Sequence, residues 1–173
     1  MQYRILGKTG LGVSEVGIGG AQFGLTNYMG RWDAESEEAE RATTATVRRA
    51  LELGYNYFDT APGYGDGRSE EMVGRALAGR RHEVVLATKV SRGQWAPDAI
   101  HRSVENSLRR LRTDVIDVIQ FHGGWYHQQD VDAILAEGGL DAFQELRRQG
   151  KVRYLGFTAE GPSCGVEQLI ATG

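Results

Sequence analysis

Residues 55–67, YNYFDTAPGYGDG, form an apolar, strand-like run that ends on Asp59 and opens into a glycine-rich loop holding Tyr64. Two runs of the same kind follow: VVLATKV, which carries Lys89, and VIDVIQFHGG, in which the apolar stretch closes on His122. Their polar ends recur after 30 residues, from Asp59 to Lys89, and after 33, from Lys89 to His122. That spacing is the length of a strand plus a helix. If the strands are parallel neighbours in a barrel, their carboxyl ends open on one face, and side chains far apart in sequence meet there.

The chemistry of such a meeting is specific. A phenol is a poor proton donor at neutral pH, and a cationic lysine beside it favours loss of the proton. In this pattern Lys89 acts on Tyr64, Asp59 keeps the lysine charged and in place, and His122 adds a second polar contact to a reacting oxygen.

The rest of the chain alternates in the same way. YRILGKTGLGVSEVGIGG reads as two short strands joined by a glycine turn, then an apolar run ending near Gly20. A helix is expected from Ser36, a good N-cap followed by two glutamates, with Val47, Ala50 and Leu51 on its apolar face. A second helix is expected from Ser69 as cap, burying Met72, Val73, Ala76 and Leu77. Pro97 suits a first helical turn, and Ile100, Val104, Leu108 and Leu111 recur at helical steps. The stretch after His122 reads as an aromatic and polar loop, followed by a helix marked by Leu140, Phe143 and Leu146, a strand from Val152 to Phe157, and the start of another helix. Five barrel strands of an expected eight are counted. The expectation is one domain over residues 1–173, incomplete at its C-terminal end, because a closed eight-stranded barrel needs at least about 200 residues.

Composition narrows the partners. The chain is 40% hydrophobic and 25% charged with a net charge of −3, and its cations form no block, so nucleic acid and anionic membranes are not expected partners. The single cysteine, Cys164, has no internal partner for a disulfide, and no apolar run approaches a membrane span or a signal peptide, which points to the cytoplasm. The histidines and cysteine lack zinc spacing, so no metal is expected.

Taken together, the Asp59, Tyr64, Lys89 and His122 constellation, the opening YRILGKTGLGVSEVGIGG and the segments GYNYFDTAPGYG, LATKV and KVRYLGF resemble the aldo-keto reductases along the whole chain. The resemblance implies a (β/α)₈ barrel of the TIM type, closed below by the N-terminal hairpin. It also implies reduction of an aldehyde or ketone by NADP(H), with NAD(H) as the alternative, and the four residues as the catalytic tetrad. The cofactor would lie at the barrel mouth against Gly20, Ala21, Asp59 and Thr158. A Rossmann crevice is not expected, because Gln22 stands where the third glycine of a GxGxxG pattern would fall. Two positions depart from the family pattern: Gly20 and Ala21 replace a common Thr-Trp pair, and Thr158 and Ala159 replace a common Ser-Asn or Ser-Asp pair that holds the nicotinamide amide. Trp95 and Trp125, in loops after strand ends, are candidates for an apolar substrate pocket, with simple packing as the alternative.

Three other readings stand beside the reductase. Lys89 at a strand end also suits a Schiff-base lysine. The same fold and tetrad occur in non-catalytic β subunits of potassium channels. A chain lacking three strands is alternatively an inactive fragment.

Overall fold

The protein, described here by a computed structural model over residues 1–161 and 163–172, begins with an antiparallel hairpin of β1 (Tyr3–Ile5) and β2 (Gly12–Ser14). A five-stranded parallel sheet follows in simple chain order: β3 (Ile18–Gly19), β4 (Tyr57–Asp59), β5 (Val85–Val90), β6 (Ile116–His122) and β7 (Val152–Thr158). The connections carry α1 (Ala21–Gly24), α2 (Glu37–Glu52), α3 (Arg68–Ala76), α4 (Pro97–Leu111), α5 (Gln128–Leu135), α6 (Gly139–Arg148) and α7 (Cys164–Ile170). The expected hairpin and the expected five strands are all present, as part of an α/β barrel.

Register decides what faces the site. Ala87 pairs with Val118 and Val118 with Tyr154; one step up, Lys89 pairs with Gln120 and Gln120 with Gly156; at the top, His122 pairs with Thr158. Alternate residues of a strand share a face, so Val85, Ala87 and Lys89 project with Val118, Gln120 and His122 into the barrel interior. The lowest part of that interior is apolar: Val13, Val85, Ala87 and Val118 pack with Leu6, Leu11, Tyr57 and Tyr154. The hairpin thus closes the bottom, and the Tyr154 hydroxyl donates to the Thr9 carbonyl. The opposite face of the sheet meets the helices through Phe58, Leu86, Ile119, Phe143 and Leu146. Every residue of β5 is buried, as in parallel strands covered on both sides.

Local signals behave as the sequence suggests in α2, where the Ser36 hydroxyl accepts the Ala39 N–H at 3.1 Å. They fail in α3. Ser69 is no cap: the helix starts at Arg68, after Gly67, and Ser69 is fully buried with its hydroxyl bonded to Thr60 Oγ1 at 2.8 Å and to the Gly20 carbonyl at 2.7 Å. Glu70 does not serve the helix dipole at the surface either. It is buried, accepts from Thr88 Oγ1 and from Arg110 Nε at 2.6 Å each, and thereby ties α3 to β5 and α4. The stretch read as a loop after His122 contains α5, which the His127 and Asp130 capping box begins.

Candidate active site

Above the apolar layer lies a polar one. Asp59 ends β4, and Lys89 sits one residue before the end of β5, only 3% exposed. A buried ammonium requires partners, and Lys89 Nζ has two, the Asp59 carboxylate and the Thr60 carbonyl at 2.8 Å. The second Asp59 oxygen accepts from Gln120 Nε2 of β6 at 3.0 Å. Gln120 was absent from the sequence reading; its signal was an amide placed two residues before His122, hence on the same strand face.

Tyr64 comes from the loop between β4 and α3, and that loop is fixed by backbone. The Ser69 N–H donates to the Tyr64 carbonyl at 3.1 Å. Gly24 of α1 lies so close that a Cβ there would stand 2.1 Å from the Tyr64 carbonyl oxygen, and Gly65, at φ +68°, faces Gly24 with the same lack of room. Only residues without a side chain permit this approach. Gly24, the last glycine of the GIGGAQFG run that fails as a nucleotide fingerprint, therefore has a structural use in seating the tyrosine.

The phenol ring then lies beneath the ammonium, with Lys89 Nζ 5.1 Å from the Tyr64 centroid, within the range of a cation–π contact. His122, at the end of β6, meets the Tyr64 ring edge to face at 5.8 Å. Burial first, and the Lys89 ammonium second, push the His122 pKa below its ordinary value, while Asp59 and Glu160 pull it weakly upward. His122 is accordingly a neutral imidazole at neutral pH. The four sequence-predicted residues thus converge from three strands and one loop on a single half-buried mouth, offering a phenol, an ammonium, a carboxylate and a neutral imidazole.

The other candidates divide. Thr158 lies beside His122 at the top of β7, with its hydroxyl accepting the Gly123 N–H at 3.3 Å. Ala21 begins α1, but Gly20 is buried, wedged against Thr60 and Ser69, and serves packing. Trp95 is a correction: it is 4% exposed, packs edge-on against Phe121 and donates its indole N–H to Asp130 at 3.3 Å, so it belongs to the core and not to an open substrate pocket. Trp125 is 53% exposed, and its carbonyl accepts from Arg92. Among the described residues no cluster of metal-ligating side chains forms, and no helix is long and apolar enough to cross a membrane.

Comparison with known proteins gives a consistent set. A profile of the Aldo/keto reductase family matches residues 15–169. An uncharacterized oxidoreductase, YqkF, of Bacillus subtilis is 38% identical, matching 94% of this chain and 50% of its own length. The L-galactose dehydrogenase of Arabidopsis thaliana is 35% identical over 91% of this chain and 48% of its own. Among solved structures, an aldo/keto reductase from Klebsiella pneumoniae in complex with NADP and acetate superposes with a TM-score of 0.74 at 31% identity, over 94% of this chain and 50% of that one. The chain spans about half the length of the curated relatives it matches.

Proposed function

This chain belongs to the Aldo/keto reductase family, and from that premise we propose that its site serves the NADP(H)-dependent reduction of an aldehyde or ketone to an alcohol, within a barrel to which residues 1–173 contribute one domain's first five βα units. The observation that carries the reading is the convergence of Tyr64, Lys89, Asp59 and His122 at one mouth.

The donor set fits a nicotinamide cofactor. Thr158 presents a hydroxyl beside His122, and Ala21 and Asp59 stand at the same strand ends; these residues would hold the nicotinamide end. When bound, the cofactor supplies a hydride to the carbonyl carbon. The protein does the proton work: Tyr64 gives its phenolic proton to the carbonyl oxygen, and the Lys89 ammonium stabilises the phenolate left behind. Asp59 holds that ammonium in place through their ion pair. His122, as a neutral imidazole, donates one N–H to the same oxygen and orients it.

A Schiff-base role for Lys89 is disfavoured by its partners. An amine must turn a free lone pair on a carbonyl to attack it, whereas Lys89 Nζ is held by the hydrogen bonds it donates to a carboxylate and a carbonyl oxygen. Tyr64→Phe removes the proton donor and little else. In a complete barrel containing this chain, reduction of an activated aldehyde by NADPH should fall at least about a hundredfold, the usual weight of general acid catalysis, with NADPH affinity little changed. Unaltered turnover in that variant would remove Tyr64 from the role.

A further inference from the structure

We propose that Gln120 is a positioning residue of this site: by fixing the second oxygen of Asp59 it holds the Lys89 ammonium against the Tyr64 ring. The inference rests on the reductase reading for its purpose but on separate contacts for its substance.

Gln120 is on β6, whereas Asp59 is on β4, so the amide reaches across the whole of β5 to make its bond. The sheet is cut to permit this. Directly beside Asp59 on β5 is Ala87, the smallest side chain of that inner row, and on the other flank Gln120 pairs with Gly156, which has no side chain at all. A Cβ at Gly156 would stand 3.5 Å from Gln120 Cγ, an ordinary contact, so this flank leaves the glutamine room without depending on the glycine.

The consequence follows from counting lone pairs and protons. An ionised carboxylate offers two acceptor oxygens and an ammonium three protons. Asp59 uses one oxygen on Lys89 and the other on Gln120; Lys89 uses one proton on Asp59 and one on the Thr60 carbonyl. The third is left for the phenol. Without the Gln120 amide, the second oxygen of Asp59, whose side chain is 29% exposed at the mouth, loses the protein donor that fixes it, and the carboxylate is free to turn and take a second proton from Lys89. The ammonium would then be drawn toward β4 and away from the Tyr64 ring.

The test reads Lys89 directly, in a complete barrel containing this chain, and needs neither cofactor nor turnover. Lysine labelled with carbon-13 at its ε position gives one signal per lysine, and that of Lys89 is assigned by its loss in Lys89→Arg. In the wild-type barrel the Lys89 signal should be displaced from those of exposed lysines by the ring current of Tyr64, and Tyr64→Leu should abolish the displacement. Gln120→Met, close in size but without an N–H, should lose most of it while the buried Trp95 indole signal stays in place. Val118→Ala, which loosens the layer below without touching Asp59, should keep it.

A Gln120→Met protein with the wild-type Lys89 displacement would overturn the proposal. So would a wild type with none, equal loss in Val118→Ala, or disappearance of the Trp95 signal in Gln120→Met, which would assign Gln120 to the fold as a whole. Any of these leaves the reductase reading standing, since that depends on the turnover of Tyr64→Phe.

Discussion

Two neighbours of His122, the surrounding protein and the Lys89 ammonium, both disfavour its charged form, and this has a sign that can be measured. The ordinary value is 6.5 and the folded value lies below it. Above the ordinary value the imidazole is neutral in folded and unfolded chains alike, so nothing is lost. As the pH falls through about 6.5 toward the depressed folded value, the unfolded chain takes the proton first and stability drops. His122→Gln cannot titrate. Between about pH 7.5 and about pH 5, the urea midpoint of a complete barrel containing the wild-type chain should therefore fall further than that of the same barrel with His122→Gln, and an equal fall in both would contradict the placement of His122. The meeting of Asp59, Tyr64, Lys89 and His122 was legible because each is an unusual residue type at a strand end or in a tight loop. Gln120 was not, since its one signal, a place two residues before His122 on the same strand face, gains meaning only once register shows that this face turns toward Asp59. Trp95 misled for a related reason: position in a loop does not reveal whether an indole points to the mouth or the core.

Among the elements, α3 and α4 make the sharpest test of packing against propensity. Gly74 lies within α3, where replacement of glycine by alanine at an exposed site stabilises by about 1 kcal/mol. Here a Cβ would stand 2.5 Å from the Arg110 carbonyl oxygen and 2.7 Å from Leu111 Cα, both backbone atoms of α4. The helices would have to separate, straining the Glu70 links to Arg110 and Thr88 as well. In a complete barrel containing this chain, Gly74→Ala should destabilise by about 1–3 kcal/mol, read from denaturant unfolding; a stabilised variant would show that the contact yields freely. Helices with three or more apolar residues at helical spacing, α2, α3, α4 and α6, were readable from the chain. The short α5 was not, because Val131 and Ile134 alone form its buried stripe. The Ser69 cap failed because a serine followed by acids looks the same whether its hydroxyl closes a helix or crosses to Thr60 and Gly20.

At the scale of the molecule, the sheet has one open side. β7 pairs with β6 and with no other strand among the described residues, and beside it a groove of about 920 Å³ is lined by Leu140, Tyr154, Phe157 and Leu169. An unpaired parallel edge next to exposed apolar surface invites association. The 173-residue chain on its own should sediment as associated species or melt without a sharp transition, and a cooperative monomer would contradict this. The order of strands was legible from the βα repeat, whereas the contacts that make the site, between residues of β4, β5 and β6, required the register. The function proposed for the site is hydride delivery to a carbonyl held by these residues. It is tested by reduction of benzaldehyde, by a complete barrel containing this chain, with NADPH deuterated at the reactive nicotinamide carbon. The expected product is benzyl alcohol with one deuterium on the carbinol carbon; alcohol formed without deuterium there, or no alcohol while the site is intact, would overturn the proposed function.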